Sequence, residues 1–264
     1  MRSDDPERRA QQRERRYERE NLKRVKRSED RQVFEEVFDR STVMIIYKML
    51  NQGELSKIQG AIDAGKESRV FLGTGRKGEK IAVKIFLVTT AEFRKGRMAY
   101  IEGDPRFSNV RRDTRSLVYL WAQKEFKNLE ACYSAKVPVP KPILVRGNVL
   151  LMQFIGREDK PAPLMKNAEL DAPTDTYHEL LTAVEKMYVR ARLVHGDLSE
   201  YNVMMWRKKP VIFDLAQAVS IEHPMTEYLL KRDLNNINNY FKRYSIRLRP
   251  VEETYGMVTK ADAE

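Results

Sequence analysis

The chain has one cysteine, Cys132, among 264 residues. No disulfide can form within it, and a reducing cytoplasm is the expected compartment. Three histidines (His178, His195 and His223) and that single thiol are too few soft ligands for a zinc centre. No apolar run approaches the roughly 20 residues needed to span a bilayer. The charged N-terminus has no apolar leader core, so a soluble chain is expected. Glycine is sparse, 12 residues in all, and the turn Ala64-Gly65-Lys66-Glu67-Ser68 after the first strand has only one, so G-x-G-x-x-G, a common backbone cradle for nucleotide phosphates, is absent from that turn. Acid is in short supply as well: 38 Asp and Glu face 49 Lys and Arg, for a net charge of +11. That excess favours an acidic partner such as RNA, a phosphoprotein or a membrane surface, although solubility alone would account for it. What is present is apolar enough to fold: 42% hydrophobic residues suffice for one large domain or two small lobes.

Residues 1–31 are nearly all charge, with Arg8-Arg9, Arg15-Arg16, Lys23-Arg24 and Lys26-Arg27 interleaved with acids. So few apolar side chains cannot offset the entropy of ordering, which predicts a disordered arm or an exposed, ion-paired helix. Over 32–58 the apolar residues Val33, Phe34, Val37 and Phe38, then Met44, Ile45, Tyr47, Met49 and Leu50, recur at helical spacing and predict two short helices. From 59 the period shortens. Ala61-Ile62, Arg69 to Leu72 and Lys80 to Phe86 read as strands. Residues 89–113 are polar, basic and poor in aliphatics, which predicts a mobile insertion. Ser116 to Tyr133 follows as an amphipathic helix with Leu117, Leu120, Trp121, Phe126 and Leu129 inward. A strand then starts at Val137 to Pro140, and another runs from Val149 to Ile155 before Gly156. Past a linker with Pro161 and Pro163, helices begin at Tyr177 and continue to about 245, leaving 246–264 as a tail. This order predicts an α+β, two-lobed, protein-kinase-like fold. An antiparallel sheet plus one helix (59–156) precedes a mainly helical lobe (157–245), truncated and without a conventional activation segment.

The run Leu193-Val194-His195-Gly196-Asp197-Leu198-Ser199-Glu200-Tyr201-Asn202, with Val211-Ile212-Phe213-Asp214 behind it, carries the chemistry. Phosphoryl transfer needs a carboxylate at the acceptor hydroxyl and oxygen ligands for Mg²⁺. Asp197 suits the first task; Asn202 and Asp214 suit the second. Lys84, in Ile81-Ala82-Val83-Lys84, matches the strand that offers a lysine to ATP phosphates, and Glu125 is its expected ion-pair partner, ahead of Glu130. Gly65, Lys66 and Ser68 occupy the phosphate-loop position with a single glycine, so Lys66 and the Ser68 hydroxyl are the expected donors. Gln153 and Ile155 are the adenine contacts, through main chain. His195 is expected to hold its loop by hydrogen bonds, and Asp233 to fix that loop or cap a helix.

The combination resembles the RIO family of atypical protein kinases over about Val33 to Arg243. Gly65-Lys66-Glu67-Ser68 is similar to that family's phosphate loop, and Tyr100-Ile101-Glu102-Gly103-Asp104-Pro105-Arg106-Phe107 to the flexible insertion of its first subfamily. Trp121 to Leu129, Pro161-Ala162-Pro163-Leu164, His195 to Asn202, His223-Pro224-Met225 and Arg232-Asp233 are further matches. Too little chain precedes the phosphate loop for the winged helix of a second subfamily. The resemblance implies ATP and Mg²⁺ as cofactors, with Mn²⁺ able to replace magnesium. It makes Asp197 the catalytic aspartate, Asn202 and Asp214 the metal ligands, and Asp214 itself a phosphate acceptor during ATP hydrolysis. It also implies a precursor small ribosomal subunit as partner, with ATP turnover as a release switch. Asp63-Ala64 stand where the subfamily usually has Ser-Thr, Ser68-Arg69 where it has Ala-Asn, and Gly196 where alanine is common. These departures spare the ligands and bear on nucleotide affinity. Three activities compete: a serine/threonine kinase acting in trans, an ATP-gated assembly factor, and a small-molecule kinase of the aminoglycoside or choline type. Leu215-Ala216-Gln217 and the short C-terminal region disfavour the third, and the lack of A-P-E disfavours broad peptide kinase activity.

Overall fold

The Asp39 carboxylate accepts hydrogen bonds from the Ser41 and Thr42 N–H groups at 3.0 and 3.4 Å, which caps the first helix, α1 (Arg40–Asn51). The computed structural model describes residues 38–65, 67–88, 97–107 and 113–261. The charged arm, the first of the two expected N-terminal helices and Lys66 lie outside the described residues.

After α1, β1 (Lys57–Ala64), β2 (Ser68–Thr74) and β3 (Lys80–Phe86) enter a five-stranded antiparallel sheet, completed by β4 (Pro142–Arg146) and β5 (Val149–Gln153) in the order β1-β2-β3-β5-β4. The first strand starts earlier than the sequence suggested, the fourth later, and β5 stops two residues short of Ile155. Side chains on a strand alternate between faces, and β3 is buried on both. Ile81, Val83 and Ile85 join Ile46, Tyr47 and Met49 of α1 in one cluster, while Ala82 and Phe86 join the main core beneath α2 (Thr114–Ser134). Lys84 shares the parity of Ala82 and Phe86, so its side chain points into the interlobe space instead of toward α1.

The insertion departs from its expectation. Residues 89–96 and 108–112 lie outside the described residues, but 97–107 are packed, with Ile101 and Phe107 in the main core. Polar residues between them are satisfied internally: Asp104 accepts from the Arg106 backbone and guanidinium, and Arg106 Nη1 donates to Asn128 Oδ1 of α2 at 2.8 Å.

A short hairpin, β6 (Gly156–Arg157) and β7 (Lys160–Pro161), leads into the second lobe. There α3 (Pro173–Val189), which starts at its proline as N1 chemistry favours, packs with α4 (Thr226–Phe241) around two small antiparallel pairs. One pair is β8 (Leu193–Val194) with β11 (Val219–Ser220), and the other β9 (Val203–Trp206) with β10 (Lys209–Ile212). Of the expected tail, residues 246–261 are ordered onto the lobe. Val251–Lys260 form α5 on α3 and α4, with Val258 in the core. The Tyr177 hydroxyl secures the approach, accepting from the Arg249 N–H at 3.0 Å and donating to Asn238 at 2.8 Å. No helix among the described residues is long and apolar enough to cross a membrane.

Candidate active site

Lys84 is 5% exposed, and an unpaired ammonium there would be destabilising by several kcal/mol on the order of magnitude of a desolvated ion. Its Nζ donates to both oxygens of Glu125 at 2.9 and 2.8 Å and to Asp214 Oδ1 at 2.8 Å. Burial opposes the charge on Lys84, but Asp214 and Glu125 outweigh it and raise its pKa. Burial pushes Glu125 up to about 7, and Asp214 adds to that, against the pull of Lys84. Burial also works against the Asp214 charge, yet Lys84 holds that carboxyl below its ordinary range. Glu125 does not line the cleft. It stands behind Lys84 and acts on a ligand only through the direction it gives that side chain.

The loop from His195 to Asn202 is set from three sides. Gly196 has φ +76°, a left-handed conformation that glycine adopts without strain. Asp233 of α4 accepts from the Gly196 N–H at 2.7 Å and from the Leu198 N–H at 2.9 Å, the fixing role expected of it. Arg232 donates to the Gly196 carbonyl. His195 Nδ1 accepts from the Asp197 N–H at 3.3 Å, so the ring proton lies on Nε2 and is donated to the Phe213 carbonyl at 3.2 Å. This ties the loop to the strand that delivers Asp214, again as expected. Asn202 Nδ2 donates to the Asp197 carbonyl at 2.7 Å and to Asp197 Oδ2 at 3.3 Å. Burial raises the Asp197 pKa, with Arg232 pulling the other way.

Asp214 has φ 60° and ψ 60°, a left-handed backbone that costs a non-glycine residue on the order of 1–2 kcal/mol. The segment after it is held by α2 from behind. Lys124 Nζ donates to the Ala216 carbonyl at 3.0 Å and to that of Ala218, and Asn128 Nδ2 donates to Leu215 and Ala218 at 2.8 and 3.0 Å. Burial pushes the Lys124 pKa down to about 7. Neither residue was singled out from the sequence. The only signal was their place in the Trp121 to Leu129 run.

Between the lobes lies a cavity of about 460 Å³. Ile62, Val70, Ala82, Met152 and Met204 supply apolar walls suited to a flat base, and Lys84, Asn202, Asp214 and Ser68 also line it. Gln153 and Ile155 line it too. The Gln153 N–H donates to the Lys141 carbonyl at 2.8 Å and the Ile155 carbonyl accepts from the Ala162 N–H at 2.9 Å, so those two main-chain groups are already engaged. Gly65 sits in the β1–β2 turn, where an added Cβ would lie 3.3 Å from the Ser68 carbonyl, and is not part of the cavity wall. Asp197 is not among the lining residues; it is tied to the cavity through its hydrogen bond with Asn202, which is. Pro140 lines the cavity without having been anticipated, and Asp63 and Phe213, named only beside site residues, line it as well.

The residues fit a magnesium ion. Asn202 turns its amide nitrogen toward Asp197, which leaves its carbonyl oxygen for a cation. The Asp214 side chain is 46% exposed, with one oxygen on Lys84. Mg²⁺ usually takes one or two protein oxygens beside phosphate and water. Among the described residues no group of three or more His, Cys, Asp or Glu is poised to hold a metal.

Residues 69–254 match the model of the RIO domain family. The human serine/threonine-protein kinase RIO1 is 37% identical over 243 residues, 90% of this chain and 43% of that protein. The RIO-type serine/threonine-protein kinase Rio1 of Haloferax volcanii is 40% identical over 220 residues, 83% of this chain and 75% of that protein. The corresponding protein of Methanocaldococcus jannaschii is 38% identical over 233 residues, 87% of this chain and 79% of its own length. The chain therefore spans under half of the human relative and at least three quarters of these archaeal ones. Two crystal structures of the Rio2 kinase from Chaetomium thermophilum, one an ADP/Mg²⁺-phosphoaspartate complex, share the fold at a TM-score of 0.63 and 23–24% identity. They cover 83% of this chain and 68–69% of theirs.

Proposed function

Because the chain belongs to the RIO domain family, in its Rio1-type branch, we propose that it is an atypical serine/threonine kinase using Mg²⁺ and ATP. The observation that carries this is the convergence of Lys84, Asn202 and Asp214 on one apolar-walled cavity, with Asp197 hydrogen-bonded to Asn202. ATP supplies an activated phosphoryl group, and the metal shields its charge. The protein's part is positional. Ile62, Val70, Ala82, Met152 and Met204 exclude water from the base, and the hinge main chain around Gln153 and Ile155 meets its edge. Lys84, aimed by Glu125, orients the polyphosphate. Asn202 and Asp214 hold the metal through oxygen. Asp197, its carboxylate aimed by the Asn202 amide, accepts the proton of the attacking hydroxyl.

A finer reading follows from one feature. From Asp214 the chain passes through Leu215–Gln217 and β11 straight into α4 at Thr226, with little room for a segment that docks a peptide. That favours ATP hydrolysis, with Asp214 as a phosphate acceptor, and limited phosphorylation in trans. On this reading the chain is a cytoplasmic, ATP-gated factor that binds the precursor small ribosomal subunit and leaves it on turnover. The basic charge agrees with a partner rich in RNA. Free phosphate release should exceed peptide phosphorylation, and precursor subunits should stimulate the release. Co-sedimentation with those subunits should persist with a non-hydrolysable analogue and decline with ATP. Peptide phosphorylation matching phosphate release, with no effect of subunits on either, would refute the finer reading and leave the kinase assignment.

A further inference from the structure

Arg97 begins the packed part of the insertion. The residue is 7% exposed, and its guanidinium lies 5.0 Å over the ring of Trp121 in α2. It pairs with Glu67, the residue before β2, whose own side chain is 69% exposed. The pair is lopsided: the cation is buried, and the acid that meets it faces water on the segment expected to carry phosphate. Its surroundings are acidic. Arg97 is close enough to Asp214 for its charge to favour that carboxylate, and Glu67 close enough to Asp197 to disfavour its ionisation. Lys84 is already shared between two carboxylates at 2.8 Å. It therefore brings little unbalanced positive charge of its own to a triphosphate, and a second protein cation beside the phosphate segment would add to the metal in receiving the terminal group.

We propose that Arg97 reads the third phosphate of the bound nucleotide, leaving Glu67 for the γ-phosphate of ATP and staying on Glu67 when ADP is bound. A guanidinium suits this exchange because its planar fork fits phosphate oxygens as well as it fits carboxylate. The shift would carry residues 97–107 with it, so the nucleotide state reaches the surface that packs on His223 and Pro224, where Gly103 makes its close approach. This inference rests on the cleft being the nucleotide site.

The test uses Trp121 as its own reporter. The chain has two tryptophans, and Trp206→Phe leaves Trp121 alone. In that background the Mg²⁺ complexes of ADP and of the β,γ-imido ATP analogue are titrated, following tryptophan emission and heat of binding. The analogue should shift Trp121 emission and ADP should not. Arg97→Ala should weaken the analogue by about tenfold, as expected for loss of one charge-assisted contact, with ADP changed by less than about twofold. Retained ADP binding also reports that the variant is folded. Glu67→Gln, which removes the competing carboxylate, should keep the preference for the analogue. Arg97→Ala weakening both nucleotides equally, or Glu67→Gln losing the preference as Arg97→Ala does, would make Arg97 a structural prop and overturn the proposal. If neither nucleotide binds the parent, the nucleotide reading of the cleft falls, and this inference with it.

Discussion

Lowering the pH from 7 to 5 should destabilise the protein through His195. The ring is 2% exposed, and its two nitrogens are already assigned, one accepting from the Asp197 N–H and the other donating to the Phe213 carbonyl. A second ring proton would meet an N–H donor head-on. Burial is the main cause that pushes its pKa down from 6.5 to about 4, against the Phe213 carbonyl, which favours the charge. A histidine with a depressed folded pKa contributes stability that is complete above the unfolded value of 6.5 and lost as pH falls from there toward 4. At pH 5 the unfolded ring is almost fully charged and the folded ring mostly neutral. The difference destabilises the fold by about 2 kcal/mol relative to pH 7, rising to about 3 kcal/mol below pH 4. With a urea slope of about 3 kcal/mol/M, the unfolding midpoint should fall by about 0.7 M at pH 5. Glu125 and Asp233, both pushed up to about 7 mainly by burial, act in the opposite direction. Their raised carboxyls stabilise the fold below the unfolded pKa, and that contribution fades as pH rises through 7. The clean measurement is therefore a difference between chains. Urea unfolding followed by circular dichroism at both pH values should show His195→Gln less stable than the parent at pH 7, yet losing about 2 kcal/mol less on acidification. Equal losses in the two proteins would refute the assignment of His195 as a buried neutral tie.

Asp197→Ala should lower phosphate release by about 10²- to 10⁴-fold, the range for a positioned general base, with Mg²⁺-nucleotide affinity changed by less than about twofold. A parallel loss of binding would contradict its role as a base acting on the transition state. Asp214→Asn should abolish the Mg²⁺-dependent part of nucleotide affinity, so that a Mg²⁺ titration at fixed nucleotide becomes flat; an unchanged titration would count against it as a ligand. Lys124→Met leaves the Ala216 carbonyl without its buried donor and should destabilise the fold by about 2 kcal/mol. That is a fall of about 4–8 °C in Tm for a domain of this size, accompanied by slower turnover because Asp214 loses its backing. A melt within about 1 °C of the parent would mean that Asn128 alone suffices.

What could be read in advance follows a physical division. Lys84 was legible because a strand alternates faces, so one hydrophobic-Ala-hydrophobic-Lys run fixes both the burial of its neighbours and the direction of the charge. Asp197 and Asn202 were legible because a five-residue spacing in a tight loop lets the amide reach back to the carbonyl and carboxylate that precede it, which it does. Glu125 required one more step, the phase of a helix, and that held as well. Gly65 is not among the cavity-lining residues, because a phosphate-loop position on the chain does not say which residues of the turn face the cavity. The α5 helix was missed because residues 246–250 are polar and basic around Ile246 and Leu248. What anchors them is a tyrosine hydroxyl from α3, which no local pattern contains.

The insertion shows why local reading fails there. Arg106 and Asp104 look like surface residues on a mobile segment, and Lys124 and Asn128 look like the polar face of an amphipathic helix. Each judgement is sound alone, and both are wrong together, because the two polar surfaces satisfy one another. Arg106 Nη1 fills Asn128 Oδ1 at 2.8 Å, which leaves the Asn128 amide nitrogen for the carbonyls of Leu215 and Ala218. Asp104 in turn favours the charged form of Lys124 against burial and the nearby Arg106 guanidinium, which lower its pKa, and the Lys124 amine donates to the carbonyls of Ala216 and Ala218. Packing of residues 104–106 is therefore a condition for the grip of α2 on the segment that carries Asp214. A substitution at Arg106, which does not line the cavity, should loosen Asp214 before it loosens the core.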